Sequence, residues 1–161
     1  MTMQATETSV STSITVKAPI ERAFATFTEG IGTWWPPDHH ILEGELAEMV
    51  FEPYEGGNVI DRNVDGGECR WARVLAYEPP NRFVISWDIN LQWQIETDYD
   101  KTSEVEVRFT AEGPNQTLVE LEHRNLDRHG DGWEQMRAAV GSSGGWDLRR
   151  FAEAAEAAAA A

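Results

Sequence analysis

The sequence predicts an α+β protein in which an antiparallel sheet, wet on one face, is covered on its other face by a C-terminal helix. Three observations predict it. Between Val10 and His123 apolar and polar residues alternate in short runs, the period-two signature of strands with one buried face. Turn residues separate the runs, at Gly56-Gly57, Asp65-Gly66-Gly67, Pro79-Pro80-Asn81 and Gly113-Pro114-Asn115. The only large cover left for the dry face is the segment carrying Trp146, Leu148, Phe151 and Ala155.

The elements follow in order. Val10, Thr12, Ile14 and Val16 alternate with Ser11, Ser13, Thr15 and Lys17, a first strand. Pro19 suits a first helical position, and Ile20, Ala23, Phe24 and Phe27 fall at helical spacing before Gly30 ends a short amphipathic helix. A second short helix carries Ile31, Trp34 and Trp35 and is stopped by Pro36-Pro37. From Gly44 to Arg124 a meander of strands follows. In it Phe83, Ile85, Trp87 and Ile89 alternate with Val84, Ser86, Asp88 and Asn90. Val105, Val107 and Phe109 alternate with Glu104, Glu106 and Arg108, and Val119, Leu121 and His123 with Glu120 and Glu122. Asp131 to Val140 reads as a short helix and Gly141 to Gly145 as its break, with Ser142 or Ser143 as caps. Trp146 to about Ala158 is the longer terminal helix. The expected order is strand, two short helices, six strands, terminal helix.

Composition narrows the function classes. With 161 residues, 41% of them hydrophobic and 25% charged, the chain is a single globular domain spanning residues 1–161, its ends 1–8 and 157–161 read as frayed. No apolar run is long enough to span a membrane. The formal charge of −15 opposes phosphate backbones and anionic headgroups, so neither nucleic acid nor membrane is an expected partner. One cysteine, Cys69, leaves no internal disulfide, and the first residues lack a secretory signal pattern, so the expected location is cytoplasmic. Cys69, in phase beside Trp71, reads as a small buried hydrophobe.

Four segments carry a resemblance to a known family: ITVKAPIERAFATFTEGIGTWWP (Ile14 to Pro36), RVLAYEPPNRFVISWDI (Arg73 to Ile89), TLVELEHRNL (Thr117 to Leu126) and GGWDLRRFAEAAE (Gly144 to Glu156). In this order and spacing the chain resembles the START-like (SRPBCC, helix-grip) domains, and within them the branch named after the activator of the heat-shock chaperone ATPase. The resemblance implies a curved antiparallel sheet wrapped around a long C-terminal helix, two short helices after the first strand, and a cavity between sheet and helix.

Seven tryptophans suit such a cavity, because an indole offers a large apolar body and one N–H donor. Trp71, Trp87, Trp93 and Trp146 lie on segments expected to face the interior or its mouth; Phe27, Trp35, Phe51, Ile85, Phe109 and His123 complete the candidate lining. Each of these aromatic residues is equally explicable as ordinary core. His123 falls in phase with Val119 and Leu121 and reads either as a satisfied core histidine or as a group that orients or deprotonates a ligand. Arg73, Asp61 and Glu48 are charges on strands, and any that points inward must be paired. Asp38, His39, His40 and Glu43 form the one dense group of metal-capable side chains. Adjacent histidines diverge in an extended segment, so they read as exposed loop residues, and no metal and no organic cofactor are expected. No phosphate loop, dinucleotide fingerprint or nucleophile elbow is present, and no catalytic residue is named.

Three readings follow. The first is a small-molecule binding domain holding a lipid-like or aromatic ligand. The second, implied only by the resemblance, is a co-chaperone acting on a heat-shock chaperone ATPase, although the separate chaperone-binding domain of the eukaryotic activators has no room in this chain. The third is a cyclase- or hydrolase-type enzyme using His123 and an inward carboxylate in the same cavity. Monomer and homodimer are both compatible with the acidic surface.

Overall fold

The computed structural model describes residues 4–5, 8–35, 41–141, 146 and 148–160. Its framework is an eight-stranded sheet, antiparallel at every pairing. The strands are β1 (Gln4–Ala5), β2 (Val10–Val16), β3 (Leu46–Phe51), β4 (Asn58–Asn63), β5 (Glu68–Glu78), β6 (Arg82–Trp87), β7 (Ser103–Gly113) and β8 (Gln116–Arg124). Their spatial order is β1-β2-β8-β7-β6-β5-β4-β3. The helices are α1 (Ile20–Phe27), α2 (Trp133–Gly141) and α3 (Leu148–Ala160). The expected helix-grip architecture is present, six strands following the first helical region and α3 packing on β2 and α1.

Several details differ from the sequence reading. The second short helix is a single 3-10 turn at Ile31–Thr33, and Pro19 caps α1 in extended conformation instead of opening it. Trp34 just after that turn is buried, its indole N–H donating to the Thr26 carbonyl at 3.0 Å. α3 begins at Leu148, after Trp146, and reaches Ala160; Gln4–Ala5 pairs with Val10 and Ser11. Both ends thus carry secondary structure where the sequence reads fraying. Ser142 and Ser143 lie outside the described residues.

Helix α3 closes the core with a stripe of Leu148, Phe151, Ala152 and Ala155, all buried at helical spacing. The alanines let the helix sit close to the sheet, and the ends of the grip are tied by hydrogen bonds. Arg150 Nε donates to the Trp34 carbonyl at 2.8 Å, and the Lys17 backbone N–H donates to the Glu156 carboxylate at 3.0 Å.

The inward faces run across the strands in register. Ile85, Val105, His123 and Val10 form one row over β6, β7, β8 and β2, and Phe83, Val107 and Leu121 the next. Alternation fails on β6 and β5 for different causes. On β6 both faces are dry: Val84 and Ser86 are buried as fully as Phe83 and Ile85, and Asp88 just beyond is also buried. On β5 the register slips against both neighbours. Val59 pairs with Ala72 but Ile60 with Arg70, leaving Trp71 as the extra residue; Val74 pairs with Ile85 but Ala76 with Val84, leaving Leu75. Such bulges bend the strand and redirect single side chains. Trp71 and Ala72 are therefore both buried although adjacent.

Candidate functional site

Four tryptophans from four parts of the chain close a ring inside the grip. Trp35 follows the 3-10 turn, Trp71 is the bulged residue of β5, Trp87 ends β6 and Trp146 precedes α3. Ring centroids lie 5.5 Å apart for Trp35 and Trp71, 5.7 Å for Trp71 and Trp87, 5.9 Å for Trp87 and Trp146, and 5.2 Å for Trp146 and Trp35. These are tilted and edge-to-face contacts, the geometry indole quadrupoles favour. All four rings are buried. His123 packs on the quartet through Trp87, at 5.2 Å between centroids.

The polar atoms of this cluster are unevenly satisfied. Trp71 Nε1 donates to the buried Asp61 carboxylate at 3.0 Å, so the inward charge on β4 has an indole partner. Trp87 Nε1, Trp146 Nε1 and His123 Nδ1 are buried with no hydrogen-bond partner among the described residues. Buried donors are almost always paired, and two unpaired indole N–H groups in one ring of tryptophans are an exception to that rule. A surface groove of about 360 Å³ lies between the 3-10 turn and β3, lined by Gly32, Thr33, Leu46, Met49 and, of the quartet, Trp35.

Behind Trp87 lies a second polar group. Ser103 Oγ stands 2.7 Å from His123 Nε2 and 2.8 Å from His129 Nε2, all three residues buried. Burial pushes the His123 pKa down to about 3, with the neighbouring His129 adding to the effect. His129 is also lowered by burial, partly offset by the carboxylates of Glu96 and Asp88. Both imidazoles are thus held neutral near pH 7. Asp88 is itself fully buried and pairs with Arg73, whose Nε and Nη2 donate at 3.0 and 3.1 Å to its two oxygens.

The ten expected lining residues therefore divide. Trp35, Trp71, Trp87, Trp146 and His123 come together as one packed cluster. Phe27, Phe51 and Phe109 belong to a phenylalanine cluster with Phe24 and Phe83, joined to the quartet by the stacked contact of Phe27 on Trp146 at 6.3 Å. Ile85 is buried in the same row as His123. Trp93 does not face the interior. The Asn90 side chain accepts from the backbone N–H groups of Gln92 and Gln94, and this turn holds Trp93 at φ 59° with its ring 49% exposed.

Glu48 is exposed and pairs with Arg62 at the surface, and Cys69 is half-buried, not buried. Burial and the nearby Asp61 charge push its thiol pKa up, which keeps it a poor nucleophile. Among the described residues no group of three or more metal-capable side chains gathers. Asp38, His39 and His40 lie outside them. Among the described residues no helix is long and apolar enough to cross a membrane. Ser103, His129 and Asp88 were not among the expected site residues. Ser103 was legible as a polar residue in phase with Val105, Val107 and Phe109; His129 falls in the irregular turn Leu126–His129, where no period operates.

Comparison with known proteins gives the lineage. A family model described as activator of Hsp90 ATPase homolog 1-like protein matches residues 17–149. The chain belongs to that family. The helix-grip fold is the START-like fold expected of it. No curated protein matches the chain. Among solved structures, an anthrahydroquino-gamma-pyrone synthase, Txn09, is 40% identical over 91% of this chain and 96% of its own, with a TM-score of 0.67. Protein NE0264 of Nitrosomonas europaea shares the fold at 11% identity over 98% of this chain and all of its own, with a TM-score of 0.69. The self-sacrificing resistance protein CalC of Micromonospora echinospora shares it at 23% identity over 94% of both chains, with a TM-score of 0.56.

Proposed function

We propose that this member of the family binds a flat, hydroxylated polycyclic aromatic molecule against the tryptophan quartet. The observation that carries the reading is the pair of buried, unpartnered indole N–H groups at Trp87 and Trp146, beside the unpartnered Nδ1 of His123. Aromatic walls favour a planar apolar body, and the orphaned polar atoms favour oxygen substituents on its edge. The likeness to a pyrone synthase at 40% identity supports the same ligand class and favours a second step on it, closure of an oxygen heterocycle.

In such a closure a phenolic oxygen attacks a side-chain carbonyl carbon and its proton passes to the carbonyl oxygen; the hydroxyl so formed then leaves with a proton from the neighbouring methylene as one water, and the ring C=C bond forms. The chain's contribution would be to hold the ring flat, donate to the carbonyl oxygen through an indole N–H, and accept or return the phenolic proton at His123. A neutral imidazole is the form able to do so.

Titration with 1,8-dihydroxyanthraquinone tests the binding. Quenched tryptophan emission and a raised melting temperature are expected, the stabilisation reaching about 2.7 kcal/mol at a hundredfold excess over Kd. Trp146→Phe, which keeps a ring and removes the N–H, is expected to weaken binding about tenfold, the scale of one hydrogen bond. A titration that leaves emission and melting temperature unchanged overturns the reading. For ring closure, a hydroxyanthraquinone with a neighbouring β-diketone side chain should lose one water in mass with the wild-type chain. It should be left intact by His123→Gln. Stimulation of a heat-shock chaperone ATPase by the same preparation would instead favour the co-chaperone reading.

A further inference from the structure

The Ser103 hydroxyl makes two short contacts with imidazole nitrogens and, among the described residues, no other hydrogen bond. A hydroxyl has one proton to donate, and a buried one without another acceptor must give it to one of these rings. The ring that accepts carries its own proton on Nδ1. The other ring, held 2.7–2.8 Å from the same oxygen, must donate from Nε2 and keeps a bare Nδ1. Opposite tautomers are thus imposed on His123 and His129, and they change only together.

We propose that His129, Ser103 and His123 form a proton relay between the carboxylate-flanked loop side of the fold and the tryptophan quartet. In one direction a proton arrives at His129 Nδ1, the Nε2 proton of His129 moves to Ser103 Oγ, and the hydroxyl proton of Ser103 moves to His123 Nε2. His123 then releases its Nδ1 proton. One proton enters, one leaves, both rings end neutral with exchanged tautomers, and no other bond changes. The reverse sequence removes a proton from the quartet side.

The parts are placed for this. The His123 ring lies on Trp87 and its Nδ1 has no partner, while His129 feels Glu96 and Asp88, and its Nδ1 is likewise unpartnered. Ser103 opposes Trp87 directly across the β6–β7 pairing, so the backbone that bears the hydroxyl is held against the strand that ends in Trp87. The relay rests on the proposed ligand only for its purpose: a phenolic proton at the quartet would have a route out of a water-poor site. Ser103 and His129 act through His123 and are positioning and relay groups.

Nitrogen-15 NMR of histidine-labelled protein at pH 7 tests it without any ligand. The Nε2–H populations of His123 and His129 are expected to be complementary, one ring gaining what the other loses as temperature is varied. His129→Gln should shift the tautomer balance of His123, and should no longer do so once Ser103→Ala has removed the hydroxyl. Both rings carrying Nε2–H in the wild type would overturn the relay, as would a His123 ring indifferent to His129→Gln. The wild-type measurement decides even if the Ser103 variant does not fold. Complementary tautomers in a protein that leaves 1,8-dihydroxyanthraquinone unbound would support the relay and defeat the proposed ligand. Binding with both rings Nε2-protonated would do the reverse.

Discussion

Between pH 6.5 and pH 5 the folded chain is expected to lose about 2 kcal/mol of stability through His123 alone, and His123→Gln to remove most of that slope. The folded pKa of His123 is held at about 3, below the ordinary 6.5, because a fully buried imidazole cannot carry its charge and His129 lies beside it. In the interval between those values the unfolded chain binds a proton that the folded chain refuses, so acid favours unfolding. The contribution is fully present above about pH 6.5 and lost as pH falls toward 3. Over the whole interval, at 1.36 kcal/mol per unit, the loss is roughly 5 kcal/mol, as large as the entire stability of a marginal domain.

The window identifies the cause. His129 is lowered in the same direction and steepens the loss. Glu106, buried on β7 between Arg82 and Arg124, is raised by burial but lowered further by those two guanidinium groups, so its stabilisation falls away only below the ordinary carboxylate range, near pH 4.5. Urea unfolding at pH 7, 6 and 5 therefore isolates the histidines. A wild-type profile flat across that range, or an unchanged slope in His123→Gln, would show that His123 titrates as if solvated.

How far the sequence reached follows from where period and geometry agree. Strands β2 and β8 keep alternation, and β7 breaks it between Ser103 and Phe109 only at buried Glu106, so Val105, Val107, Phe109, Val119, Leu121 and His123 were legible as inward residues. The aromatic and alanine stripe of α3 was legible for the same reason. The quartet was only partly so. Trp71 faces inward because a bulge places it next to buried Ala72, and no period-two rule reports a bulge. Trp93 misled because its segment has no period: Asn90 folds it into a turn and the ring points out. Asp88 alternates as a wet-face residue, yet Arg73 closes over it from β5 and is itself held by Thr102, just before β7. A charge buried by its partners is a tertiary fact, invisible until the strands are side by side.

That pair yields the second large effect. Arg73→Met is expected to cost 3–5 kcal/mol, because it leaves the Asp88 carboxylate, fully excluded from water, without a cation. Most of the cost is the stranded charge rather than the lost attraction, so Asp88→Asn in the Arg73→Met background should recover a large share of it. Arg73→Lys should not rescue fully. The guanidinium binds both carboxylate oxygens, donates to Thr102 Oγ1 at 3.3 Å, and lies 3.6 Å from the Tyr99 ring centroid, contacts that need a planar fork. The same substitution carries a second readout at the histidine cluster. Asp88 already raises the pKa of His129 against the effect of burial, and removing the compensating Arg73 charge strengthens that field. His129 should titrate higher in Arg73→Met than in the wild type, and return in the double variant. Loss of stability with His129 unmoved would mean that Arg73 acts as packing for Tyr99 and not as the counter-charge that holds this end of the sheet neutral.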